Sequence, residues 1–198
     1  MGTISLVRVG GVCAILSVVS GIVARIFFRS GDLLTGHWFD VLSLLLVMAA
    51  ALGFYQALRE AGAVLWIAVV AFFTGVIFLL FHEFILLGIA YELVPGITDA
   101  LRQTGWLVMV VVYVLFFFVG VLLLSIAILR TSVMPKWIGW LGLIVVAVNL
   151  VLVTITSGVF ENIRPPWLLA TGTLLGWLLA MGVVLLRLNE PVAPDSVS

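Results

Sequence analysis

The stretch FLLFHEFILLGIAYELVPG, Phe78 to Gly96, sets a histidine and a glutamate side by side, His82 and Glu83, inside an apolar run. Imidazole and carboxylate are the raw material of proton transfer, general acid–base catalysis and metal ligation. Each of these chemistries needs further partners at defined spacing. A zinc protease helix reads H-E-x-x-H, whereas Phe-Ile-Leu follows His82-Glu83 here. The other histidine is His37 and the lone cysteine is Cys13. The chain is therefore expected to hold no metal, haem or other cofactor, although a metal or haem site built on His82 is the third reading after the two below. Neighbouring helical residues point about 100° apart, so His82 and Glu83 are not expected to face one small site squarely.

Other polar side chains share the apolar stretches. Arg25 and Arg29 lie near the end of the first one, Asp40 near the start of the second, and Asn149 and Thr154 within the fifth. By residue count Arg25 and Glu83 reach similar depth, and an ion pair between them would neutralise both. Arg25, Glu83, His82, Asn149, Arg29 and Asp40 form the candidate polar cluster, with His37 and Trp38 contributed by the first outer loop. In one reading Arg25 snorkels, Glu83 is interfacial or protonated, and Asn149 bonds a neighbouring helix. In the other, the set lines a polar pocket for a solute, an ion or a proton.

No catalytic residue emerges. The chain lacks G-x-S-x-G, a Walker loop and a dinucleotide fingerprint. Its aspartates (Asp32, Asp40, Asp99 and Asp195) fall outside the centres of apolar runs, where an intramembrane aspartyl protease would need them. An enzyme is thus disfavoured.

The elements that must position these residues follow from composition. Of the 198 residues 65% are hydrophobic and 9% charged, against roughly 25% charged in a soluble domain, so lipid is the expected solvent. Nine basic residues balance nine acidic ones, scattered singly, which offers nothing to nucleic acid and no polybasic lipid-docking run. The runs are continuously apolar rather than alternating, which excludes an outer-membrane barrel. The first run is too long for a signal peptide and lacks a small-residue cleavage site.

An all-α, polytopic bundle of six transmembrane helices is expected, as one domain over residues 1–188. The spans are drawn at about 5–28, 39–58, 63–91, 105–129, 136–157 and 166–186, with 189–198 a polar disordered tail. Small residues at helical spacing, Ala49/Gly53/Ala57, Gly172/Gly176/Ala180 and Ser17/Gly21, are candidates for helix contacts. Arg8, Arg59, Arg130, Lys136 and Arg187 fall on the terminal side and Arg25, Arg29, Arg102 and Arg164 opposite, five against four, which favours cytoplasmic termini.

Pro135-Lys136-Trp137 and Pro166-Trp167 each open a helix, with proline in the first turn and tryptophan at headgroup level. MPKWIGWLG, Met134 to Gly142, and GWLLAMG, Gly176 to Gly182, resemble a widespread group of small six-span bacterial membrane proteins classed under a domain of unknown function. That group carries P-[RK]-W-[LI]-G at the start of a late helix, and the likeness covers the C-terminal third. It implies the six-span fold and an inner-membrane location, and brings no catalytic or binding residues. The expected role is a structural or accessory bundle acting through helix contacts, the alternative a small-solute, ion or lipid binder or carrier, and third an intramembrane enzyme or redox subunit. Expected partners are membrane lipids, a second copy of the chain or another membrane protein, and no nucleic acid.

Overall fold

The computed structural model describes residues 5–91, 108, 111–156 and 165–188, and every regular element among them is helical. Helix α1, Leu6–Ser30, opens on Ser5, whose hydroxyl accepts the Val7 N–H at 3.2 Å. It ends at Gly31, where φ is 87°, a left-handed conformation that glycine enters without steric cost. Asp32 follows directly and accepts the Thr35 N–H at 3.0 Å as the cap of α2, Leu33–Leu58. A stop and a start thus occupy two adjacent residues. Hydrogen bonds from the Thr35 side chain and backbone hold the exposed Asp32 carboxyl below the usual carboxylate range.

Helix α2 therefore begins six residues before the expected start at residue 39. His37 and Trp38 belong to a helix and not to a loop, and Asp40 lies about two turns inside it. A 3₁₀ turn, Arg59–Ala61, and Gly62 (φ 67°) lead into α3, Ala63–Ala90. Its 28 residues extend about 42 Å at 1.5 Å each. A π-helical segment, Tyr113–Val121, runs into α4, Leu122–Arg130. Helices α5, Lys136–Thr156, and α6, Pro165–Arg187, complete six rods. Three stretches, Leu6–Ser30, Leu33–Ala61 and Ala63–Ile89, are long and apolar enough to cross a membrane. The expected tail 189–198 and residues 105–107, 109 and 110 of the 105–129 span lie outside the described residues.

The rods pack in chain order, and α6 closes the circle against α1. Contacts fix each neighbour as antiparallel: Gly10 meets Gly53 across α1–α2, Gly75 meets Phe116 across α3 and the π segment, and Gly11 meets Gly182 across α1–α6. At the first of these a Cβ on Gly10 would lie 2.6 Å from the Gly53 Cα, so the backbones touch with no side chain between them. The predicted Gly53 stripe is thus a contact with α1. Ser43 Oγ donates to Ser17 O at 2.8 Å and lies beside Gly21, so the short α1 stripe also faces α2. Gly172 and Gly176, by contrast, have nothing within 4 Å of a built Cβ.

Fully buried Phe54, Phe72, Phe116 and Trp177 fill the interior, and the Phe72 and Phe116 rings lie 4.7 Å apart. The Trp177 indole N–H donates to Ile138 O at 3.2 Å, tying α6 to α5 and satisfying a buried donor. The outer surface is apolar: Val19, Ile22, Ile26, Trp66 and Trp140 are each about half or more exposed.

Candidate functional site: an ionisable network across three helices

The tight Gly31–Asp32 turn brings the end of α1 against the start of α2. Gly36, without a side chain, leaves room for the Phe28 ring, which a Cβ there would meet at 2.5 Å. Phe28 then serves as a partition. Its ring lies edge-on to the His37 ring at 4.9 Å, and the Arg25 guanidinium sits 5.3 Å from its centroid. Phe27 stacks on Phe39 at 5.5 Å, and Ser20 Oγ donates to Phe39 O at 2.7 Å, fixing the register of the pair of helices.

In that register Arg25 Nη2 stands 3.2 Å from Asp40 Oδ2 and 3.4 Å from Oδ1, joining α1 to α2. His37 Nδ1 is 2.7 Å from Glu83 Oε2, joining α2 to α3. His82 Nδ1 lies 3.8 Å from the other Glu83 oxygen, Oε1. Glu83 is thus flanked by two imidazoles, one on each oxygen. Asp40 and Glu83 are buried, and their side chains are 12% and 11% exposed, whereas that of Arg25 is 43% exposed. At the rim, the Trp38 indole N–H donates to Tyr91 Oη at 3.5 Å.

Arg25 lies five residues before Ser30, and Glu83 seven before Ala90, so the network sits about 7–10 Å inside the helix ends at 1.5 Å per residue. One guanidinium, two carboxylates and two imidazoles converge there. This set can carry zero net charge, with Arg25 charged against Asp40 and one proton shared among Glu83, His37 and His82. Two buried atoms in it make no hydrogen bond, Arg25 Nε and His82 Nδ1. Among the described residues no group of three or more histidine, cysteine or acidic side chains has metal-binding geometry.

The expected Arg25–Glu83 pair does not form: the partner of each lies on α2, 3.2 Å from Arg25 and 2.7 Å from Glu83. Asp40, from the start of the second run, and His37, assigned to a loop from sequence, are those partners. His82 Nδ1 and Glu83 Oε1 do approach each other, to 3.8 Å, despite the angular offset of the two residues. Arg29 is exposed in the last turn of α1 and joins no ion pair among the described residues. Asn149 is 1% exposed, and its amide donates to Val145 O at 2.8 Å on its own helix, while Oδ1 is unpartnered. Helix α5 packs mainly on α4, α6 and the π segment, so Asn149 belongs to a different part of the bundle. Thr154's side chain lies outside the described residues. Phe28 and Gly36 were missed from sequence, although a two-residue turn would have paired residues 28 and 36.

No protein-family model, no curated protein and no solved structure matches the chain.

Proposed function

We propose that the protein is an integral membrane bundle whose six rods all cross a bilayer, and that it acts as a structural or accessory component through helix contacts. The observation that carries this reading is the network's connectivity. Its two shortest ion contacts each join different helices, and together they link α1, α2 and α3. Apolar burial gives little drive for association in lipid, so interhelical polar contacts and close glycine approaches supply it. The basic ends of the rods favour the cytoplasmic side for both termini. The likeness of Met134–Gly142 to the small six-span bacterial group agrees with an inner-membrane location.

Carbonate washing of membranes should leave the chain in the pellet. In detergent, a double-mutant cycle on His37→Leu and Glu83→Leu is expected to give a coupling of about 2 kcal/mol, as a mostly desolvated pair linking two helices would. Additive effects would sink the latch.

A second reading is favoured by Arg25 Nε and His82 Nδ1, which make no hydrogen bond, since a buried polar atom left without one costs about 1–3 kcal/mol. A small anionic or polar solute entering beside Phe28 would satisfy them. Thermal stabilisation by millimolar acetate or a similar carboxylate, lost in Arg25→Lys, would support a binder over a purely structural bundle. Unchanged midpoints would leave the structural reading alone.

A further inference from the structure

A groove of about 500 Å³ lies at the opposite end of the bundle from the ionisable network, between residues 132–135 and the last turn of α6. Its lining mixes the apolar side chains of Val133, Val184 and Leu188 with Ser132, Trp137 and Arg187. Trp137 is 53% exposed at the first turn of α5. Lys136, beside it, is occupied: its ammonium donates to the carbonyls of Leu129 and Thr131 and so caps the end of α4. Arg187 is therefore the cation available to the groove, and it pairs with no acid among the described residues.

The basic side counted from the sequence is the side on which this groove opens. Antiparallel packing gathers Arg8, Arg59, Arg130, Lys136 and Arg187 from five separated helix ends onto one side, with Glu60 the acid there among the described residues. Apolar side chains, an exposed indole and a guanidinium without an acidic partner among the described residues, on a basic surface, match an amphiphile with an anionic head. A soluble anion would leave the apolar side chains unused.

We propose that this groove binds an anionic glycerophospholipid. Arg187 takes the headgroup phosphate, Trp137 lies at the glycerol level, and the first acyl carbons rest on Val133, Val184 and Leu188. The site rests on the membrane reading above and is independent of the ionisable network.

The test is native mass spectrometry of the full chain in mild detergent, titrated with phosphatidylglycerol and with phosphatidylcholine of the same acyl chains. Phosphatidylglycerol is expected to bind about five-fold more tightly, the effect of roughly one basic contact. Arg187→Gln should bring the two lipids close to parity, and Arg187→Lys should keep most of the preference. Arg59→Gln, at the same end but outside the groove, should leave it unchanged. Thermal midpoints of the variants show that each remains folded. Equal binding of both lipids by the unaltered chain overturns the site, as does a preference that survives Arg187→Gln or is lost equally in Arg59→Gln. Displacement of the lipid by millimolar inorganic phosphate would make the groove a phosphate site and overturn the lipid assignment. A chain released from membranes by carbonate would overturn the membrane reading and the groove together, whereas a membrane-retained chain without lipid preference overturns the groove alone.

Discussion

The two ends of the α1–α2 interface are held by opposite means. At one end Gly10 and Gly53 bring backbone onto backbone, with nothing to titrate and no side chain to rearrange. At the other, Arg25, Asp40, His37 and Phe28 keep the helices together through charges and rings with degrees of freedom of their own. The glycine end is a fixed pivot. The charged end is where a side-chain contact, His37 with Glu83, ties α3 to the pair, and where an added solute can alter the contact. Rigidity and responsiveness are thus separated along one pair of helices.

The contrast can be broken most severely at the pivot. Gly53→Leu must push a side chain into the α1 backbone and is expected to cost more than about 3 kcal/mol, at or beyond the upper range of ordinary overpacking. Unfolding in mixed micelles would read this, and a loss below 1 kcal/mol would mean the helices are not in contact there. Next comes Arg25 with Asp40. Because Arg25 is 43% exposed, screening reduces the pair, and a cycle on Arg25→Leu and Asp40→Leu should give only about 1 kcal/mol of coupling. A coupling as large as that expected for His37 and Glu83 would place Arg25 in a drier site than its exposure indicates.

Gly176→Ala tests the opposite case, a small residue with open space around it. It should stabilise the chain by about 0.5 kcal/mol through helix propensity alone. Clear destabilisation would mean that another molecule packs on that face. The smallest effect belongs to Asp32. Its lowered folded value means its contribution is present above the unfolded carboxylate pKa, about 3.9, and is lost as pH falls through the folded value. Thermal midpoints should therefore fall on acidification below about pH 4. Asp32→Asn, which still caps the helix, should remove that part of the slope.

Much of the architecture was legible because apolar runs of about 20 residues leave a chain few options other than helix. The start of α2 was misread because Thr35, Gly36 and His37 look like loop residues. Yet Gly31-Asp32 is a stop followed by a cap, and His37 is tolerated in a helix because it faces Glu83. The ion-pair partners were not legible. Depth counting places Arg25 and Glu83 at one level, but which carboxylate meets which cation depends on rotation about helix axes, set here by the Gly10–Gly53 approach and the seat of Phe28 on Gly36. Counting spans gathered the five basic residues of the terminal side, but not the groove beside Arg187, because residues 132–135 and the last turn of α6 become neighbours only once the rods pack.

The brevity of the Gly31–Asp32 turn also bears on the order of assembly. Arg25 and Asp40 are 15 residues apart in the chain, whereas His37 and Glu83 are 46 apart. A growing chain can close the first pair while α3 is still unmade, so both charges enter the nascent hairpin already neutralised. Glu83 arrives later, onto a helix pair that already presents His37. Synthesis itself thus schedules the network, local contact first and long-range contact second, with loop-closure entropy favouring the same order.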